Sequence, residues 1–144
     1  HAVDYLDGCE NKKKYSLVVL PATAPLRSVE DVNNCIDLFE KGEVDSVITV
    51  TGAHRSPFFN MVVNNSGGYS SLVISTDDKI IRRQDAPKVH DMTTVAYVVN
   101  TNFVKKFDGI FEGMVKSVVV PPERAIDIDT MLDFKIAEYL ILNR

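Results

Sequence analysis

The fold is decided by residues 15–51, which read YSLVVLPATAPLRSVEDVNNCIDLFEKGEVDSVITVT. Residues 15–20 form an apolar run with β-branched members, which predicts a strand buried on both faces of a parallel sheet. Pro21 ends that run, and residues 45–51 predict a second strand of the same kind. Two such strands joined through a helix form a crossover unit, whose strand ends face a ligand crevice. The stretch therefore predicts an α/β domain.

The helix between these strands is predicted from its two ends. Ser28 begins it and Asp31 stands three positions later, where a capping box places its acidic member. Lys41 and Gly42 end it. A polar loop over residues 21–27 therefore separates the first strand from the helix, and it lies at the end of the strand where α/β proteins bind ligands.

The pattern changes beyond residue 51. Short apolar runs over 58–63, 72–75 and 79–81, separated by turn-forming residues, predict antiparallel hairpins. Further strands over 95–99 and 117–120, a short helix over 102–107 and a closing helix over 130–142 complete the prediction. A chain of 144 residues is long enough for one domain. We therefore predict a single domain over 1–144, with 57–92 as an insertion.

Composition excludes several classes of protein. The net charge is −4, and basic residues cluster only at 12–14 and 82–83, so a general nucleic-acid surface is not expected. Two cysteines, Cys9 and Cys35, are too few for a disulfide framework, which favours the cytoplasm. No apolar run approaches the roughly 20 residues of a membrane helix, so no membrane association is expected. Residues 1–6 read as a helix already under way without an initiator Met, which suggests a fragment.

Residues 122–133, PERAIDIDTMLD, carry a candidate metal site. In extended backbone, Asp127 and Asp129 point to the same side while Ile128 points into the core. Two such carboxylates suit Mg²⁺, which fills its remaining positions with water and substrate phosphates. An alternative is that Asp129 or Thr130 caps the closing helix, with Asp133 completing a box. The two roles are compatible.

Four segments in order resemble the acylneuraminate cytidylyltransferase family, which makes CMP-sialic acid and related CMP-nonulosonates. Residues 20–27 resemble its L-Q-P-T-S-P-L-R loop, and 45–57 are similar to its D-S-V-[IV]-S-V stretch with a following S-P. Residues 82–87, RRQDAP, resemble R-R-Q-D-x-P, and 123–133 resemble E-R-S-I-D-I-D-T-E-L-D. The resemblance covers nearly the whole chain.

This resemblance implies a Rossmann-like nucleotidyltransferase sheet with a hairpin-rich dimerisation insertion. It implies an enzyme that joins CTP to a nonulosonic acid, N-acylneuraminate or a relative, and releases pyrophosphate with Mg²⁺ present. By resemblance, Asp127 and Asp129 hold that metal. The sugar hydroxyl attacks the α-phosphorus in line, so the enzyme's task is to position the reactants and neutralise phosphate charge.

The resemblance also implies roles for residues outside the metal site. Arg27 has a rigid fork of donors for phosphate or carboxylate, although a surface ion pair at the helix start is as good an account. Arg83 matches the family arginine that reaches the sugar acid in the neighbouring subunit's site, and its alternative is an exposed hairpin charge. Tyr97 matches a tyrosine of the sugar pocket, and its alternative is a core aromatic. The other predicted substrate-binding residues are Pro21, Thr23 and Gln84.

Departures from the family pattern concern substrate and completeness. Pro21 stands where the family has a substrate-contacting glutamine, so a different nonulosonate is an open alternative. The glycine-containing basic loop that holds the CTP phosphates has no counterpart here, so we expect this chain alone to be inactive. The small hairpins are expected to pack in a two-fold homodimer. Rival hypotheses are another nucleotide-sugar enzyme with an Asp-x-Asp metal site and a non-catalytic scaffold.

Overall fold

The computed structural model describes residues 3–5, 16–76 and 80–143. These residues form two compact units, one made of the chain up to Thr51 and from Met92 onward, the other of Gly52–Asp91. The helices and strands, in chain order, are β1 Ser16–Val19, α1 Val29–Glu40, β2 Ser46–Gly52, β3 Val62–Asn64, β4 Ser70–Leu72, β5 His90–Asn100, α2 Thr101–Lys106, β6 Val115–Val119 and α3 Met131–Leu142. Short 3-10 turns occur at Arg83–Asp85, Ile110–Glu112 and Pro122–Arg124.

The main sheet has the strand order β1-β5-β2-β6. Strands β2 and β6 are parallel, and β1 is antiparallel to β5. Strand β5 also runs antiparallel to β2, because the Asn100 N–H donates to the Asp45 carbonyl while Ala96 bonds with Thr49. Strands β1, β2 and β6 therefore point the same way, and their carboxyl ends share one edge of the sheet. This edge is where an α/β sheet binds ligands.

The prediction for β1 is wrong in two respects. Its paired neighbour among the described residues is the antiparallel β5, which separates it from β2. Val18 and Val19 are each 37% exposed, so the strand is not buried on both faces. An apolar run shows the hydrophobicity of a segment but not the order of the strands around it, and here β5, which begins only at His90, lies between β1 and β2.

Helix α1 confirms the predicted helix. The Ser28 hydroxyl accepts from the Asp31 N–H at 3.1 Å, and the Asp31 carboxylate accepts from the Ser28 N–H at 2.9 Å, which is the predicted capping box. The helix places Cys35 against Val47 of β2 and two residues of β5, and these form the main buried cluster. The helix start, and with it the loop before the helix, is held against the sheet by this core.

The second unit contains the hairpin β3–β4, with Val62 opposite Leu72. The Asn65 side chain accepts from two backbone N–H groups of the turn, and Gly68 supplies the positive φ of +81° that the turn requires. The prediction of antiparallel hairpins is therefore confirmed for this pair.

The boundaries predicted within this unit are wrong. The strand predicted over 58–63 begins only at Val62, because the Ser56 carbonyl accepts the N–H groups of three consecutive residues, 59 to 61, and forms a turn. The strand predicted over 72–75 ends at Leu72. Ile80 and Ile81 are not in a strand, and Lys79 lies outside the described residues. Cys9, Lys12–Lys14 and residues 1, 2 and 6 of the helix predicted over 1–6 also lie outside them, whereas residues 3–5 are helical.

Candidate active site

Two polar loops meet at the carboxyl edge of the main sheet. One follows β1 and the other follows β6, and the Ile128 N–H of the second donates to the Thr23 carbonyl of the first at 2.9 Å. Beneath them Ala24, Val95 and Val120 form a small buried core against which Ala125 packs. The Asp-x-Asp string is thus fastened directly to the loop over residues 21–27.

Asp127 lies within this junction and is partly buried. Its Oδ1 atom is buried and has no hydrogen-bond partner among the residues that the structure describes. Burial, with a smaller effect of the Asp127 charge, raises the pKa of Tyr97. Tyr97 pairs with Val19 across the sheet, at the carboxyl end of β1. A buried carboxylate oxygen without a partner costs about 1–3 kcal/mol, so this atom is placed to accept a cation or a donor from a ligand.

Asp129 is exposed, and its carboxylate receives no hydrogen bond from the residues that the structure describes. Helix α3 is capped instead by Thr130, whose hydroxyl accepts from the Asp133 N–H at 3.3 Å. The Thr130 hydroxyl and N–H donate to the Asp133 carboxylate at 2.7 and 2.8 Å, and these bonds lower the pKa of Asp133. The predicted cap at Thr130 is confirmed, and it is compatible with the predicted metal-binding role of Asp127 and Asp129, which stays a prediction.

The donor set at this junction is small. Within residues 3–5, 16–76 and 80–143, no group of three or more His, Cys, Asp or Glu side chains is arranged to hold a metal ion. This argues against a closed zinc site, which takes four protein ligands. Two carboxylates with an unpartnered buried oxygen fit Mg²⁺, which keeps several waters and binds substrate phosphates. Asp127 and Asp129 would hold such an ion.

Arg27 is engaged within its own loop. Its Nε donates to the Ala24 carbonyl at 3.0 Å, and its terminal nitrogen donates to the Pro21 carbonyl. Pro21 is half-buried and Thr23 is exposed, with the Thr23 carbonyl committed to Ile128. The guanidinium therefore shapes the loop beside Asp127, and its contact with substrate stays a prediction.

Arg83 and Gln84 belong to the second unit. They line a cavity of about 560 Å³ together with Arg55, Lys88 and His90. One terminal nitrogen of Arg83 donates to the His54 carbonyl at 2.7 Å, which holds its side chain against the loop at the start of this unit. Among the described residues, the cavity lining carries three Lys or Arg side chains and no Asp or Glu. The positive charge of this lining suits an anionic ligand. Arg83, which is part of the lining, is predicted to bind a carboxylate.

One contact of this site was missed by the sequence analysis. Arg124 donates to both oxygens of the Asp31 carboxylate, from Nε and from a terminal nitrogen, each at 2.8 Å. Burial acts to raise the pKa of Asp31, but the bonds from Arg124 and Ser28 outweigh it and leave the pKa lowered. The two residues are 93 positions apart, and capping had already accounted for Asp31, so no local pattern pointed to the pair.

No family model matches the sequence. Three relatives do. Post-translational flagellin modification protein B of Campylobacter coli is 33% identical over 126 residues, which are 88% of this chain and 52% of that protein. CMP-N,N'-diacetyllegionaminic acid synthase of Campylobacter jejuni is 35% identical over 127 residues, again 88% and 52%. An N-acylneuraminate cytidylyltransferase of Streptococcus agalactiae is 22% identical over 131 residues, 91% of this chain and 31% of that protein.

The chain is similar to members of the acylneuraminate cytidylyltransferase family, and these relatives support the predicted resemblance. It spans about half the length of the two Campylobacter relatives, 52% in each case. The crystal structure of 4-diphosphocytidyl-2C-methyl-D-erythritol synthase from Anaerococcus prevotii superposes with a TM-score of 0.64. That match covers 99% of this chain and 65% of the other at 16% identity, so it supports the fold alone. The predicted Rossmann-like α/β class is confirmed. None of the described helices is both long and apolar enough to span a membrane.

Proposed function

We propose that the full-length protein joins CTP to a nonulosonic acid, N-acylneuraminate or a relative, and releases pyrophosphate. The sugar's anomeric oxygen forms a bond to the α-phosphorus of CTP, the bond from that phosphorus to pyrophosphate breaks, and the hydroxyl proton leaves the sugar. The observation that carries this proposal is the unpartnered buried oxygen of Asp127 at the strand-end edge. A carboxylate left without a partner in the free protein is suited to a ligand-bound cation.

The residues of this edge would have different roles in the proposed reaction. Asp127 and Asp129 would hold Mg²⁺, and the ion would supply neutralisation of charge on the phosphate oxygens. Arg27 holds the neighbouring loop in shape through two of its carbonyls. Tyr97 would offer its hydroxyl as a donor for a substrate oxygen. In the second unit, Arg83 and Gln84 would bind the sugar acid of the neighbouring subunit's site, and the basic lining of their cavity supports an anionic ligand.

A legionaminic-type acid is the first substrate to test. The relative named for N,N'-diacetyllegionaminic acid is 35% identical to this chain, and the relative named for N-acylneuraminate is 22% identical. Pro21 also lacks the side-chain donor and acceptor of the glutamine that the family places there. Both observations favour a sugar whose acylamino groups differ from those of N-acylneuraminate.

We further propose a cytoplasmic homodimer in which the second unit mediates association. Met61, Val62 and Val63 are 40 to 59% exposed on a small hairpin, and a two-stranded ribbon is marginal unless it packs against something. A cytoplasmic protein has access to CTP. Light scattering at micromolar concentration tests the dimer, and a strictly monomeric mass would reject it.

The proposed activity is tested with the full-length protein, CTP, MgCl₂ and either N,N'-diacetyllegionaminic or N-acetylneuraminic acid. We expect pyrophosphate release that requires both substrates, and a CMP-sugar detected by mass spectrometry. Asp127→Asn and Asp129→Asn should each lower the rate at least about a hundredfold, because each removes a ligand charge. Asp108→Asn, which changes an exposed carboxylate without a role at the site, should not.

Two results would count against this function. If the full-length protein releases no pyrophosphate with any nonulosonic acid tested, catalysis is rejected. If Asp127→Asn retains the full rate, the proposed activity is kept but Asp127 is not part of the catalytic site. A scaffold would behave differently again, since Asp129→Asn would leave its assembly unchanged and the wild type would show no turnover.

A further inference from the structure

The segment that carries the Asp-x-Asp pair is held to the rest of the fold on both sides of Asp127. Before it, Arg124 forms its two 2.8 Å bonds with Asp31. After it, the Ile128 N–H donates to the Thr23 carbonyl at 2.9 Å. Only three residues, 125–127, separate Arg124 from Ile128. The two contacts therefore set the position of the Asp127 carboxylate together.

Both contacts attach the segment to the same part of the fold, which is the loop over residues 21–27 together with the start of α1. Asp31 lies in the first turn of α1 and is 2% exposed, and its carboxylate is also fixed by the Ser28 N–H of the capping box. Ser28 directly follows the loop over 21–27, in which Arg27 bonds to two carbonyls. The loop and the helix start are therefore one rigid support, to which the segment after β6 is fastened twice.

The anchor at Arg124 depends on the shape of its side chain. A guanidinium presents two parallel N–H groups to a carboxylate, which sets an orientation as well as a distance. Lysine would keep the charge but offer a single point of contact. Arg124 also ends the 3-10 turn Pro122–Arg124, so its orientation determines the direction in which the chain leaves that turn toward Asp127.

We propose that Arg124, held by Asp31, is a positioning residue that aims the Asp127 carboxylate at the bound divalent cation. This inference rests on the proposed function, because the cation belongs to it. Arg124 does not contact the metal or the substrate. Its effect passes through the backbone of residues 125–127. Groups hydrogen-bonded directly to a metal ligand change metal affinity by about 10- to 100-fold, so we expect this indirect contact to act at the lower end of that range.

The test measures Mn²⁺ binding to the full-length protein by electron paramagnetic resonance, with Mn²⁺ as the probe for the Mg²⁺ site. Arg124→Lys and Asp31→Asn should each weaken Mn²⁺ binding about tenfold. The double variant should be little weaker than either single variant, because both break the same contact. Ser28→Ala is the matched control. It removes the hydroxyl of the helix cap and lowers thermal stability while leaving the ion pair in place, and Mn²⁺ affinity should stay within about twofold.

A variant that leaves one buried charge unpaired can unfold. The combination Asp31→Asn with Arg124→Gln removes both charges and avoids that penalty, so it provides a folded variant with the same expected loss of Mn²⁺ affinity. Circular dichroism checks that each protein is folded before binding is measured.

The outcomes separate the two proposals. If the wild type binds Mn²⁺ and the folded Arg124 variants bind it equally well, the positioning role is rejected and the proposed function is untouched. If Ser28→Ala weakens binding as much as Arg124→Lys, the effect is one of general stability and the positioning role is also rejected. If the wild type does not bind Mn²⁺ at millimolar concentration, the metal site fails and the role of Arg124 fails with it.

Discussion

Replacing Asp127 with alanine is expected to stabilise the metal-free protein, which is opposite in sign to most substitutions of partly buried residues. The reason is the Oδ1 atom, which is buried and has no hydrogen-bond partner within the described part of the chain. In the absence of a cation its burial is a cost to the folded state, and alanine removes that cost without breaking a hydrogen bond to this atom. A site that is strained until its ligand binds often exchanges stability for function in this way.

The size of the effect follows from the same atom. A buried polar group without a partner costs about 1–3 kcal/mol, and some contacts of the lost side chain offset the gain, so we expect a net stabilisation of about 1 kcal/mol. In a domain of this size that is a rise of about 2–4 °C in Tm. Asp31→Ala should have the opposite effect, because it leaves the Arg124 guanidinium without its partner.

The assay is thermal unfolding of the full-length protein, followed by circular dichroism in EDTA and then in excess MgCl₂. In EDTA, Asp127→Ala should melt above the wild type and Asp31→Ala below it. Added Mg²⁺ should raise the Tm of the wild type, since a ligand of the folded state stabilises it, and should not raise that of Asp127→Ala. A lower Tm for Asp127→Ala in EDTA would refute the reasoning, because it would show that this carboxylate has a stabilising partner.

Three further predictions concern Asp31, Cys35 and Gly113. The folded-state pKa of Asp31 lies below its ordinary value of 3.8, so its pair with Arg124 stabilises the protein above that pH and the stabilisation is lost as the pH falls through the lowered pKa. The Tm difference between wild type and Asp31→Asn, scanned from pH 7 to 3, should therefore shrink at the acid end. Burial, with a smaller effect of the Asp31 charge, raises the pKa of Cys35 to about 11, so peptide mapping should find it unlabelled by a thiol reagent at pH 8 until urea is added. Gly113→Ala would place a methyl 2.5 Å from a ring carbon and 2.7 Å from a carboxylate oxygen, so urea unfolding should show a loss of about 1–3 kcal/mol. Gly52→Ala, with open space around the added atom, should stay within about 0.5 kcal/mol.

The helix starts were predictable because each is determined by hydrogen bonds within a few adjacent residues. Ser28 with Asp31, and Thr130 with Asp133, exchange hydrogen bonds over three positions, as capping boxes require. The strands of the main sheet were predictable as apolar runs, although not to the residue: β6 begins at Val115 rather than at 117. Capping boxes and apolar runs are short-range sequence patterns, so they can be recognised without knowing how the rest of the chain folds.

The errors occurred where a distant or competing contact decided the outcome. Strand β1 was expected to be buried on both faces, but β5 is its paired neighbour in the described sheet and part of its surface stays exposed. The strand expected from residue 58 gave way to a turn, because the Ser56 carbonyl collects three successive N–H groups. Hydrophobicity alone does not distinguish these arrangements.

The sequence by itself determined which residue types were available at the candidate site: two carboxylates two positions apart, a helix start immediately after them, and an arginine-bearing loop after the first strand. Only the tertiary structure decided which atoms meet. Ile128 bonds to Thr23, and Arg124 pairs with Asp31, because strands from separate parts of the chain end at one edge of the sheet. A hydrogen bond over three or four residues is specified by local geometry, whereas a pair 93 positions apart exists only after the strand order has brought both partners together.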